Sequence, residues 1–271
     1  MAASHPRCWS REHPDLAAEP RILRDSTWAR VLKAELAASE DPCREWIAAR
    51  GNLVKQDVNS VAALIDLADD CCFAKWYGPK SRLHRRVLSS SFGRPIRNQD
   101  SSRELYQAGV AVAQPRGCLW CGDGALVLAE ALEGGKNLHA RWLSAERPVD
   151  RRLLIKAVAK SLAQLHLAAF SHGDCKWSNL LYLDEQVYLV DLDAARRGRL
   201  GGRRQARDLA RFTLDAEELA VDQETYEVFL ADYFTETGVS RDAMTALMLP
   251  ILHRLRRRHQ RQYGDRGRPL W

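Results

Sequence analysis

No apolar run in this chain approaches the roughly 20 residues that a membrane-crossing helix needs, so no membrane-spanning helix is expected. Met1–Asp15 mixes His, Arg, Glu and Pro and has no signal-peptide core, which predicts a protein made and kept in the cytoplasm. Cysteine is used without a framework: seven residues, an odd number, stand at 8, 43, 71, 72, 118, 121 and 175. Cys118-Leu-Trp-Cys121 is a lone Cys-x-x-Cys with no second pair at zinc-site spacing. Reduced thiols of a cytosolic protein are the expectation, with this pair at a hairpin turn before Gly122-Asp123-Gly124. Internal repeats and long low-complexity tracts are absent too. What is present is a soluble globular composition, 46% hydrophobic and 28% charged. At 271 residues the chain can bury the core of one large domain or two lobes.

The net charge of +6 is unevenly placed. Arg196, Arg197, Arg199, Arg203, Arg204 and Arg207 put +6 into twelve residues with no acid among them. His253–Arg268 holds seven arginines against Asp265, another +6, so the remainder carries about −6. Nucleic acid, acidic lipid and anionic sugar are all compatible with such an asymmetry.

The densest chemistry lies between His172 and Asp193. His172-Gly-Asp174-Cys-Lys176-Trp-Ser-Asn179 packs a carboxylate, an ammonium and an amide into six residues, a spacing suited to a loop. Leu180–Leu183 and Val187–Val190 then form apolar runs around the turn signal Asp184-Glu185-Gln186. If the chain reverses near Glu185, Asn179 and Asp191 lie equally far from the turn and return side by side. An amide oxygen beside a carboxylate is a hard-ligand pair for Mg²⁺. Any one of these residues alone would read as the solvated flank of a hairpin. Together, Asp-x-Lys-x-x-Asn, an apolar hairpin and a second Asp match the catalytic loop and metal-binding pattern of kinases.

Upstream, Asn52–Gln56, Val61–Leu67 and Cys71–Tyr77 read as three antiparallel strands, the third interrupted by Lys75. Residues 97–107 have helical character and stop near Gly109, and Val110–Val112 and Ala125–Leu128 read as further strands. Glu130-Ala131-Leu132-Glu133-Gly134-Gly135 reads as a hinge whose backbone is free to hydrogen-bond a purine. From Asp150 the chain is mostly helical: Leu154, Val158, Leu162 and Leu165 form a core-facing stripe, with His166 as a structural residue beside it. Arg207-Asp208-Leu209-Ala210 opens another helix, and Leu247, Met248, Ile251, Leu252 and Leu255 form a last stripe with arginines opposite.

On His172–Asn179, Val190-Asp191-Leu-Asp193, Arg207–Ala210 and the junction Ala108–Pro115, the chain resembles the protein-kinase-like superfamily. Within it, the chain looks like the bacterial lipopolysaccharide kinases that phosphorylate Kdo or heptose of the inner core, over residues 50–255. The resemblance implies an α+β, bilobal protein-kinase-like fold: an extension over 1–49, a β-rich lobe over 50–133, a helical lobe over 134–255 and a basic tail over 256–271. It implies ATP and Mg²⁺, with Asp174 orienting the acceptor hydroxyl and Lys176 neutralising the transferring phosphoryl group. Asn179 and Asp191 hold the metal, Lys75 holds the α- and β-phosphates, and Glu104 is assigned as its partner. The hinge backbone from Glu130 to Leu132 meets the purine. His172 and Asp208 brace the loop, and Asp193 is solvated or structural. Two departures stand out. The first hairpin, Asp57-Val58-Asn59-Ser60, lacks a Gly-x-Gly loop, and Glu104 lies close to the end of its helix.

The implied acceptor is an anionic, lipid-linked sugar, with peripheral contact between the basic tail and an anionic inner membrane, and no nucleic acid is expected. The arginine-rich segment 196–207 contains no Ser, Thr or Tyr, which disfavours a phosphorylation-switched protein kinase. The same arginines disfavour an aminoglycoside or choline kinase, which binds a cationic acceptor. A pseudokinase or scaffold is the remaining alternative, motivated by the missing glycine loop and opposed by the retained polar set.

Overall fold

The computed structural model describes residues 19–90, 92–264 and 267–271, so the leader expectation for Met1–Asp15 lies outside the described residues. The chain divides into two compact units, one ending at Ile96 and regaining Arg116–Glu130, the other made of Arg97–Pro115 and Ala131–Trp271.

The first unit opens with β1 (Arg21–Arg24), α1 (Thr27–Ala37) and α2 (Cys43–Arg50). Ser26 caps α1 by accepting from the Ala29 N–H, one of the donors a helix start leaves unpaired. The stretch before residue 50, expected as an extension, thus carries packed structure: Leu32, Trp46 and Ile47 are fully buried with Ile65, Leu67 and Leu128. Next come β2 (Asn52–Asp57), β3 (Ser60–Leu67) and β4 (Asp70–Tyr77), the three strands expected from the alternating pattern. Ala68 and Asp69 both have positive φ, the two-residue turn whose twist suits a hairpin. A short helix α3 (Arg82–Leu88) and α4 (Arg94–Gln107) follow, and β5 (Pro115–Trp120) and β6 (Ala125–Glu130) complete a six-stranded sheet of order β1-β5-β6-β4-β3-β2. The Cys-x-x-Cys spans the end of β5 and the turn into β6, where the Cys121 N–H donates to the Gly124 carbonyl. All six described cysteines are free thiols.

The second unit is built from β7 (Lys136–Asn137), α5 (Leu138–Ser144), α6 (Pro148–Leu167), β8 (Phe170–Ser171), β9 (Leu180–Leu183), β10 (Gln186–Leu189), β11 (Arg196–Arg197), α7 (Arg203–Glu218), α8 (Gln223–Thr237) and α9 (Arg241–Tyr263), with most of α4. Leu154, Val158, Leu162 and Leu165 of α6 are buried, as their spacing predicts. They join one core with Trp177, Phe212, Phe229 and Tyr233. Val110–Val112 is not a strand. It makes a single parallel bridge, Val112 to Leu189, and is buried because it lies in this core. In α9, Met244, Met248, Ile251 and Leu252 are buried, but Leu247 is 39% exposed and points away from the stripe assigned to it. The first half of the expected basic tail, 256–263, is the last two turns of this helix. Arg256 donates from Nε to Glu217 Oε2 at 2.8 Å, and Glu217 also accepts the Leu270 N–H at 3.0 Å. Among the described residues, no helix is long and apolar enough to cross a membrane.

Candidate active site

The loop from His172 to Asn179 is shaped from behind by α7. Asp208 accepts the backbone N–H of His172 at 2.6 Å and of Gly173 at 2.8 Å, one on each carboxylate oxygen. Gly173 has φ +80°, and a Cβ there would collide with the Ala194 carbonyl, so glycine is required twice over. His172 Nε2 donates to the Val190 carbonyl at 3.1 Å, while its Nδ1 is buried without a partner. Burial holds this imidazole below its ordinary range, and it stays neutral as a strut between loop and hairpin. Seven residues after Asp208, Asp215 accepts the Trp177 N–H at 2.7 Å, and the Trp177 indole N–H donates to the Phe212 carbonyl at 3.1 Å. Burial pushes Asp215 up to about 6.

Between these two anchors stands Asp174. Its Oδ1 pairs with Arg211 at 2.5 Å and its Oδ2 with Lys176 at 3.0 Å. Asn179 donates its amide nitrogen to the Asp174 carbonyl at 2.9 Å, which leaves the amide oxygen as the group able to meet a cation. Asp208, Arg211 and Asp215 lie at i, i+3 and i+7 of α7, so one helix face carries the whole support. The sequence reading missed Arg211 and Asp215. The signal was that helical spacing counted onward from Asp208.

The hairpin brings Asp191 back, with one correction. The turn is Asp184-Glu185, both at positive φ, and the register pairs Leu180 with Leu189. Asn179 therefore faces Val190, whose N–H donates to the Asn179 carbonyl at 3.0 Å, and Asp191 lies one residue beyond. Asp191 itself is left-handed, φ 57°, a costly conformation for a non-glycine residue of the kind that gathers at functional sites. Oxygen donors from one amide and one carboxylate suit Mg²⁺, which draws most of its shell from phosphates and water. Among the described residues no group of three or more His, Cys, Asp or Glu is placed to hold a metal ion. Asp193 is buried and accepts from Asn98 Nδ2 at 2.9 Å, which makes it structural.

Lys75 belongs to the first unit, in the central strand β4, between Ala62 of β3 and Val127 of β6. Its ammonium lies 5.0 Å from the Tyr77 ring centre. Glu104, in the second unit, pairs with Arg197 Nη2 at 2.8 Å. Asp100, one helical turn earlier, is a second carboxylate of α4 that the sequence reading passed over. The hinge needs revision at its start: Glu130 is still paired with Cys72, and the chain leaves the sheet at Ala131, where one unit ends and the other begins. The Leu132 carbonyl accepts the Gly135 N–H at 3.2 Å, closing a turn. Downstream, the arginine-rich segment is no long loop. It is β11, five residues from 198 to 202, and the first turns of α7.

Asp174 opens onto a cleft of about 500 Å³ lined by α7 and α9, including Lys176, Arg211, Asp215, Glu218, Arg258, His259 and Tyr263. Guanidinium, ammonium and imidazole donors alternate there with carboxylate acceptors.

A carboxylate presented on a braced loop beside an asparagine and a returning aspartate, in this fold, defines the class: an ATP-dependent phosphotransferase of the protein-kinase-like type. The model of the lipopolysaccharide kinase (Kdo/WaaP) family matches residues 45–233, and the chain belongs to that family. Among solved structures, WaaP in complex with acyl carrier protein is similar at TM-score 0.59 and 18% identity, covering 86% of this chain and 96% of that one. The aminoglycoside phosphotransferase APH(3'')-Id from Streptomyces rimosus is similar at TM-score 0.50 and 14% identity, over 82% and 96% of the two chains. An aminoglycoside-3'-phosphotransferase of type VIII gives TM-score 0.50 and 15% identity, over 76% and 95%. At these identities the structural likeness concerns the fold. Comparison with curated proteins gave no match.

Proposed function

We propose that this lipopolysaccharide kinase transfers phosphate from ATP to a hydroxyl of heptose or Kdo in the inner core, with Asp174 as the acceptor-orienting carboxylate. The observation that carries the reading is the clamp on Asp174: Arg211, Lys176 and Asn179 fix its carboxylate at the mouth of the charged cleft. Phosphoryl transfer needs positioning and charge neutralisation more than covalent chemistry, and a clamped carboxylate supplies the first. An incoming hydroxyl donates to Asp174 and passes its proton there as its oxygen bonds to the γ-phosphorus, while the bond from that phosphorus to the bridging oxygen breaks and ADP leaves. Lys176, one of the clamp's cations, is long enough to turn toward the transferring group. Asn179 and Asp191 would hold Mg²⁺, which supplies neutralisation of phosphate charge when bound. Lys75 holds the α- and β-phosphates, and the chain after Ala131 meets the purine. Glu104 is the carboxylate assigned to Lys75, and its bond to Arg197 would then have to open.

The mixed lining of the cleft supports a polyhydroxylated, anionic acceptor. Sugar hydroxyls both donate and accept, and Arg211 and Arg258 suit carboxylate or phosphate. A cationic aminoglycoside would meet these arginines unfavourably.

The test is Asp174→Ala with ATP and purified core lipid. The fold and ATP binding should persist while turnover falls by roughly 10²–10⁴. Near-normal turnover would remove the mechanism. Mass spectrometry of core lipid from a deletion strain should show one phosphate lost, and its position identifies the sugar.

A further inference from the structure

Residues 71–99 contain seven Lys and Arg and no Asp or Glu, a third basic stretch, longer and less dense than the two arginine clusters. At its centre is α3, whose faces are reversed relative to an ordinary surface helix. Ser81 caps it, accepting from the His84 N–H, and Leu88 is 1% exposed in a small core with Tyr77, Ile96 and Val127. Arg85 also turns inward, donating from Nη2 to the Gly122 carbonyl at 2.7 Å with its guanidinium over the Trp120 ring. Residues 85 and 88 share one side of the helix, so 83, 86 and 87 lie on the other, with the exposed Arg82 at its flank. There Leu83 is 74% exposed and Val87 46%, with Arg82 and Arg86 beside them. Phe92, just past the helix, is 78% exposed.

Single exposed apolar residues need no explanation, but three of them within one acid-free basic stretch do. Apolar side chains set among arginines are what an anionic bilayer surface binds: the first enter the headgroup boundary, the second meet lipid phosphates. A nucleic acid would use the arginines and leave Leu83 and Val87 in water. We propose that the outward face of α3 is a docking surface for an anionic lipid membrane. The assignment deepens the lipid-linked acceptor reading and rests on it. It also moves the membrane contact from the carboxy-terminal run, whose Arg256 is held by Glu217, to the first unit.

The experiment is flotation of the full chain with phosphatidylglycerol–phosphatidylethanolamine vesicles and with pure phosphatidylcholine vesicles, none containing core lipid. The parent should partition to the anionic vesicles and lose binding at high salt. Arg82→Gln with Arg86→Gln should cut that partitioning at least roughly tenfold. Leu83→Ser with Val87→Ser should cut it by a similar factor and leave the residual binding salt-sensitive. Turnover on a water-soluble core oligosaccharide and the thermal midpoint should match the parent in both, which separates failure of docking from failure of the kinase reading. Absent binding by the parent overturns the proposal. So does unchanged partitioning in both variants, or loss only on Arg257→Gln with Arg261→Gln. Binding to duplex DNA that the arginine pair alone abolishes assigns the face to nucleic acid instead.

Discussion

The helices α3 and α9 look alike as sequence, each a short apolar pattern threaded with arginines, and the structure uses them in opposite senses. In α9 the apolar residues face the core and the arginines near its end face charged partners: Arg256 meets Glu217, and Arg258 and His259 line the cleft at Asp174. In α3 an arginine and one leucine face the body, and Leu83 and Val87 face solvent. A run of positive charge therefore says little about its partner. The direction of the neighbouring apolar side chains decides whether it serves a protein carboxylate or a surface outside.

The comparison breaks most visibly at Glu217. Its carboxylate is nearly buried, accepts from Arg256 and holds the Leu270 N–H, so Glu217→Ala leaves a guanidinium and an amide without their acceptor. Unfolding in urea should show a loss of about 3 kcal/mol. A loss below about 1 kcal/mol would return this end of α9 to the status of a frayed basic tail. Arg258→Gln should raise the acceptor KM about tenfold, or ~1.4 kcal/mol, with the ATP KM unchanged. Equal shifts in both would place Arg258 outside acceptor binding.

Asp215 gives a pH-dependent effect. Its native value is raised to about 6 from an ordinary 3.8, so between those values the folded chain holds a proton that the unfolded chain has released. Stability from this group is intact below the lower value and is lost as pH rises toward the upper one. Asp215→Asn keeps an oxygen for the Trp177 N–H and removes the titration. Relative to the parent it should gain roughly 2 kcal/mol from pH 4 to pH 7, read as urea midpoints. A pH-independent difference would argue against a buried, titrating Asp215. Smallest of all, Arg82→Gln with Arg86→Gln should change stability by less than about 0.5 kcal/mol, since neither arginine supports the fold.

Much of this architecture was legible where one residue pattern had one use. The strands β2 to β4 alternate or run apolar between turn residues, and the loop from Asp174 to Asn179 crowds rare polar types into six positions. Asp208 was legible as the brace, yet Arg211 and Asp215 on the same face were not, because charged residues on a helix usually point to water. β5 was hidden by its Pro115 and Gly117, residues that seldom mark a strand. Val110–Val112 misled in the opposite direction: valine-rich and buried, it has the composition of a strand but makes only one bridge, Val112 to Leu189. The equal spacing of Asn179 and Asp191 was off by one because the turn has two residues, not three, a distinction set by backbone angles at Asp184 and Glu185.

The brevity of the link between β11 and α7 bears on how such an enzyme is governed. Five residues, three of them glycines, leave no tether on which a regulator could write a covalent mark and swing a gate. The loop that presents Asp174 is bolted to α7 at both ends, so its readiness is set when the chain folds. On the proposed reading, what then limits output is the supply of acceptor to the cleft.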